Sequence, residues 1–359
     1  MLGASVAAFN ASGNKYKINI IKFESIEEMN IQIIAGNIPD LMDVGYTFPF
    51  GNYAAKGVFE DLNTYFDSDT EVALVPAVHR ALSTGDKLFR VTSGFCLSTL
   101  IGISDFVGTE NGWTFEEMKQ YLADAPEGAS AHPFQGSKEA LLTFLLYQNM
   151  DEYIDWESGT ALFNTQDFKE LLKFANSVPD TSSNPPNIDA ALMGMKLVSH
   201  CTVSPFGQFV MIDNDLGGKS VFKGFPGSHK YSGVLYASSP ITMTSACSDK
   251  DGAWSFIRSV LLTDENFQLF SSVQSRFDTA VETAMSEPNL QFRTDPMTQG
   301  QYEKFMRFLD GIGMVGAGDV VLRTIIEEEV PSYFAGDKTL DKVCAIIQNR
   351  AQMYVWEQG

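Results

Sequence analysis

Cysteine is scarce in this chain. Four residues (Cys96, Cys201, Cys247 and Cys344) are spread through 359, with no CxxC pair. Each sits among apolar or small neighbours and reads as a small buried hydrophobe, although spacing alone leaves disulfide pairing open. The four histidines never fall at metal-ligand spacing, so no metal is expected. Basic residues are in deficit, 25 against 45 acidic ones, for a formal charge of −20. A phosphate backbone would be repelled, which excludes nucleic acid as a partner. No run reaches the roughly 18 consecutive apolar residues of a membrane helix. The opening residues lack the basic and apolar parts of a signal peptide, so either the protein is cytosolic or an export segment has been removed.

The usual marks of catalysis are missing too. There is no G-x-S-x-G elbow, no P-loop, no H-E-x-x-H and no G-x-G-x-x-G after a strand. The glycines of Gly311, Gly313 and Gly316 lie late in the chain after a helical pattern, and read as an inter-element segment. Carboxylate pairs such as Asp213 with Asp215, and the run Glu327, Glu328, Glu329, read as solvated faces. No cofactor is expected.

What is present is a soluble α/β pattern, with 44% apolar and 19% charged residues and length enough for two domains. Residues 16–23, rich in isoleucine and aromatics, predict a strand. Ser25 and Glu28 predict a capping box that opens a helix, and residues 40–44 predict a second strand, parallel to the first. Further helices are expected after Thr114 with Glu117, after Thr165, after Ser248, and over the stripe Leu340, Val343, Cys344, Ile347, Ala351, Tyr354. Residues 99–103 and 233–237 read as strands, and residues 178–187 as a loop. No internal repeat is found.

The informative feature is a loop dense in rings. Gly45, Tyr46, Thr47, Phe48, Pro49, Phe50, Gly51, Asn52 and Tyr53 follow the second strand, with four aromatics among them. Solvated loops seldom carry so many. At the carboxyl end of an α/β strand such rings could stack on the C–H face of a sugar. They could equally pack beneath the next helix, which is the reading preferred for Tyr53. For Tyr46 and Phe48 both readings stay open.

Residues Ala35-Gly36 and Pro39-Asp40, then Tyr53-Ala54, Gly57 and Asp61-Leu62, resemble the signature of family 1 extracellular solute-binding proteins. These are the carbohydrate-binding subunits of ABC importers, distantly similar to maltodextrin-binding protein. The likeness continues through Gly112-Trp113-Thr114, Asp155-Trp156-Glu157-Ser158-Gly159, Gly224-Phe225-Pro226, Asp251-Gly252-Ala253-Trp254 and Tyr333-Phe334-Ala335-Gly336-Asp337. Read physically, most of these are structural. Trp113 and Trp254 look like core anchors, and Gly336 lets the chain turn.

The resemblance implies an α/β, two-lobed periplasmic-binding-protein-like fold of class II. Residues 1–96 with 241–309 would form the first lobe, and 97–240 with 310–359 the second. The crossings between lobes are expected near residues 95–98, 237–242 and 309–313, with a ligand cleft that closes by hinge motion. Matched positions nominate Asn10, Tyr46, Thr47, Phe48, Phe95, Phe134, Gln135, Phe206, Phe209 and Asp319 as ligand contacts, with Tyr231 and Tyr236 as weaker candidates.

The resemblance further implies a monomer outside the cell, tethered by lipid in the full-length protein, that delivers a mono- or oligosaccharide to permease subunits. Members of the family usually begin with one more strand before the first helix, and a Trp commonly stands where residues 316–319 run. These departures weaken the case for long maltodextrin-like ligands. A hydrolase or lyase acting on polysaccharide, or a sugar sensor or adhesion subunit, are the alternatives.

Overall fold

The computed structural model describes residues 2–45, 48–124, 137–178, 198–263, 268–316 and 319–357. Its strands in chain order are β1 (Leu41–Asp43), β2 (Gly94–Ile103), β3 (Ile154–Asp155), β4 (Thr160–Ala161), β5 (Val198–Val203), β6 (Ser220–Phe222), β7 (Gly233–Ala237), β8 (Ile241–Met243), β9 (Phe270–Ser271) and β10 (Ile312–Val315). The long strand β2 is the hub of the main sheet. It pairs antiparallel with β5, β6, β7 and β9, while β10 runs parallel to β7. β1 pairs antiparallel with β8, and β3 with β4.

Residues 16–23 form no ladder. The expected parallel neighbour of β1 is therefore absent, and Ile20 and Ile21 are exposed. A strand needs a partner for its backbone groups as well as β-forming residues, and among the described residues this segment has none.

Helix starts follow their caps closely. Thr114 and Glu117 make a reciprocal capping box for Phe115–Ala123, and Thr165 accepts from Phe168 N at the start of Gln166–Ser177. Ser25 accepts from Glu28 N, but the Glu28 carboxylate reaches the Glu24 amide instead of that of Ser25. The helix expected after Ser248 is capped one residue later. Asp249 Oδ1 accepts from Gly252 N at 3.0 Å, because a carboxylate at that position can meet the amide three residues on. Gly336, with φ +83, makes the turn before the last helix.

Three apolar cores organise these elements. The first gathers Val78 and Leu82, Phe256 and Ile257, Phe277, and Phe305 and Phe308 around Leu97 and Leu235 of β2 and β7. The second packs Leu145 and Leu146, Phe168 and Leu172, Leu322 and Ile326, and Val343 and Ile347. The third is a small aromatic cluster of Phe48, Phe50, Tyr53, Phe59 and Phe89 with Met29 and Met42. Trp113 is an anchor as expected, 2% exposed and donating to Gly224 O, and Trp254 packs on Tyr65 and Phe66.

Two expectations change here. Asp213 is not on a solvated face. It is buried, and its carboxylate accepts from Lys304 Nζ and Ser220 Oγ. The glycine-rich stretch after residue 310 is no loose connector, because residues 312–315 are β10. Its glycines leave room for side chains of the β7 region. A Cβ on Gly311 would lie 2.6 Å from Ser232 Oγ, and one on Gly316 would lie 2.8 Å from the Tyr236 ring.

Candidate functional site

A cavity of about 330 Å³ opens where the aromatic cluster faces the second core. Phe48, Phe50 and Arg90 line one side, and Trp156, Phe225 and Tyr231 the other. A second hollow of about 370 Å³ shares Arg90 and Val315 with it and is bounded by Gly45 and Tyr236. Together they form one cleft.

The rings of this cleft are held firmly. Tyr231 stacks on His229, with centroids 5.2 Å apart and planes 14° apart. Trp156 projects from a tight turn in which Asp155 Oδ1 accepts from the amides of Glu157 and Ser158, both at 3.0 Å. Phe50 carries the Arg90 guanidinium 4.0 Å over its ring, a cation–π contact that fixes both groups.

Two carboxylates and one lysine of the cleft have local partners. Glu152 accepts from Ser228 N and Ser228 Oγ, both at 2.8 Å. Lys230 is paired with Glu117 at 2.7 Å. Asp319 caps the helix Val320–Phe334, with Oδ1 accepting from Val321 N at 2.9 Å and Leu322 N at 3.1 Å. Its Oδ2 accepts from the Tyr354 hydroxyl at 2.8 Å. Burial pushes the Asp319 carboxyl above its ordinary value, and these hydrogen bonds oppose the rise. The result is a wall of rings, hydrogen-bonded carboxylates and the Arg90 guanidinium, which offers a ligand both apolar faces and polar edges.

The residues expected to touch ligand divide sharply. Phe48 lines the cavity, but it is only 7% exposed and packs on Tyr53 at 4.9 Å. It belongs first to the aromatic core. Asp319 lines the cavity as a helix cap. Phe95 and Phe209 are fully buried, packed on Phe270 and on Phe222 and Phe305 respectively, and line neither hollow. Asn10 instead braces its own neighbourhood, bonding both the amide and the carbonyl of Ile18. Tyr46, Thr47, Phe134 and Gln135 lie outside the described residues. Tyr231 and Tyr236, the weaker candidates, both line the cleft.

Phe206 edges a different and larger cavity of about 640 Å³, bounded by Leu2, Ser239, Asn289 and Thr294. Size alone would favour that cavity. Its two described rings, Phe206 and Phe270, however, are committed to each other and to Phe277 and Phe305. The smaller cleft presents rings from two sides and is the better candidate. Trp156, Phe50 and Arg90 escaped nomination. The Asp155-Trp156-Glu157-Ser158-Gly159 turn was the available signal for the first of these, since a large ring on a tight polar turn is displayed and not buried.

No protein-family model and no curated protein matches the sequence. Solved structures do match over essentially full length. The sugar-binding protein MalE from Xanthomonas citri aligns with a TM-score of 0.56 at 15% identity, covering 99% of this chain and 94% of that one. A protein from Synechococcus sp. MITs9220, provisionally assigned as an oligosaccharide periplasmic-binding protein, aligns with a TM-score of 0.55 at 13% identity, covering 99% and 96%. An ABC substrate-binding protein from Listeria monocytogenes, in complex with cycloalternan, aligns with a TM-score of 0.50 at 16% identity, covering 98% and 95%. At such low identity it is architecture that these matches establish: the chain has the two-lobed α/β fold of the periplasmic-binding proteins.

Proposed function

We propose that this protein is the ligand-capturing subunit of a carbohydrate ABC importer. It would work outside the membrane as a monomer, anchored by lipid, and hand a sugar to permease subunits. The observation that carries this reading is the cleft itself. Trp156 and Tyr231 supply ring surface beside Arg90, Asn149 and Asp319, on a fold whose neighbours include binding proteins for sugars and oligosaccharides. The lobes of this reading are residues 1–96 with 241–309 and residues 97–240 with 310–359.

Binding would act by closing the cleft. To move such an equilibrium from 1:99 to 99:1, ligand must favour the closed form by roughly 5.5 kcal/mol. A few stacked rings with hydrogen bonds can supply that. Hydrolysis is not required, since transport is driven by the partner ATPase. A glycosidase would need two carboxyls converging on one bond. The two described carboxylates of the cavity, Asp319 and Glu152, are each held by hydrogen bonds from their own neighbourhood.

A thermal-shift screen of common mono- and oligosaccharides tests the reading. A true ligand at about 100 times its Kd adds roughly 2.7 kcal/mol of stability. Silence across the sugars, with amino acids or peptides shifting the melt instead, would discard the carbohydrate assignment and leave the fold untouched.

A further inference from the structure

At one end of the cleft its two sides already touch. The short helix Phe50–Ala55 comes from the aromatic cluster, and Trp156 and Tyr354 come from the second-core side. A Cβ built on Gly51 would fall 2.3 Å from Trp156 Nε1 and 2.5 Å from its Cδ1. The indole edge therefore rests directly on the helix backbone, and only glycine allows that approach. One residue along, the buried Asn52 side chain is hydrogen-bonded to Tyr354. Tyr354 in turn donates to Asp319, and Trp156 meets its ring edge to face, with centroids 6.3 Å apart. Asn52, Tyr354 and Asp319 are all less than a tenth exposed.

We propose that this contact is the end wall of the closed cleft, and that the site takes a compact saccharide, a mono- or disaccharide, while excluding longer chains. The proposal rests on the carbohydrate reading above and narrows it. An oligosaccharide longer than the cavity must run out past its lining, and on this side it meets an indole seated on a helix with no gap between them. A long chain would have to separate Trp156 from Gly51 and break the Asn52–Tyr354–Asp319 relay.

Titration calorimetry with ladders of increasing length, built from glucose, galactose, mannose or xylose, tests this on the whole chain. The expected result is affinity that peaks at the mono- or disaccharide and falls about tenfold or more by the tetrasaccharide. Trp156→Ala is expected to move the ratio of tetrasaccharide to monosaccharide affinity about tenfold toward the longer sugar. The wild-type ladder decides the matter alone should that variant not fold. Affinity that rises with chain length in the wild type overturns the end wall and leaves the carbohydrate reading standing. Failure of every sugar at every length overturns both together.

Discussion

The ring of Tyr231 fills the space over Gly313. A Cβ on that glycine would sit 1.7 Å from Tyr231 Cε1 and 2.1 Å from its Cζ. The two belong to neighbouring segments, one leading into β7 and the other within β10, so the glycine sets how a cleft ring is held. Gly313→Ala is expected to displace the ring and to cost about 1–3 kcal/mol through overpacking. Urea unfolding reads the stability loss, and calorimetry with any sugar that binds reads a weaker Kd. An alanine variant of unchanged stability would mean that the ring has another place to go.

Phe48 separates packing from recognition. It is 7% exposed within a cluster containing Tyr53 and Phe59. Phe48→Ala should therefore lower stability by about 3 kcal/mol or more, as large-to-small changes in aromatic cores do. Thermal denaturation checks it. A variant that melts like the wild type but loses sugar would return Phe48 to the ligand.

Asp319 makes a prediction about pH. Burial raises its folded-state value above the ordinary 3.8, so between about pH 4 and the raised value the folded protein binds more protons than the unfolded one. Stability from this group is thus fully present below about pH 4 and falls as pH rises through the raised value. Asp319→Asn keeps an acceptor for the helix amides and removes the titration. Wild type should lose stability relative to the variant as pH rises from 4 through that window. Parallel denaturant series at several pH values give the difference, and a flat difference would refute the assignment.

The pair formed by Lys304 and Asp213 should be costly to break. Their side chains are 20% and 3% exposed, with Nζ and Oδ1 2.5 Å apart. Lys304→Met strands a buried carboxylate, and a loss of about 3 kcal/mol is expected in urea unfolding. Restoration of most of that loss by the further change Asp213→Asn would locate the cost in the unpaired charge.

How much of this was readable beforehand depends on the kind of interaction involved. Local signals were faithful. Thr114, Thr165 and Gly336 act where their spacing placed them, because caps and turns are settled within a few residues. Pairing was harder. Residues 16–23 have the composition of a strand and no ladder, since composition cannot supply a neighbour. The site was legible only in part for a related reason. Phe95, Phe206 and Phe209 are as aromatic as Trp156 or Tyr231, yet they sit in cores made by distant segments such as Phe270 and Phe305. Whether a ring is displayed or buried is decided by elements more than 90 residues away in such pairs as Phe209 with Phe305.

A single ribbon, Gly94–Ile103, carries ladders to four others. Such a hub cannot loosen piecemeal, because freeing it strips partners from β5, β6, β7 and β9 at once. Its amides should surrender their protons to solvent only when the whole molecule opens. Deuterium uptake there would then measure the stability of the entire protein, while the helix ends reported only their own fraying.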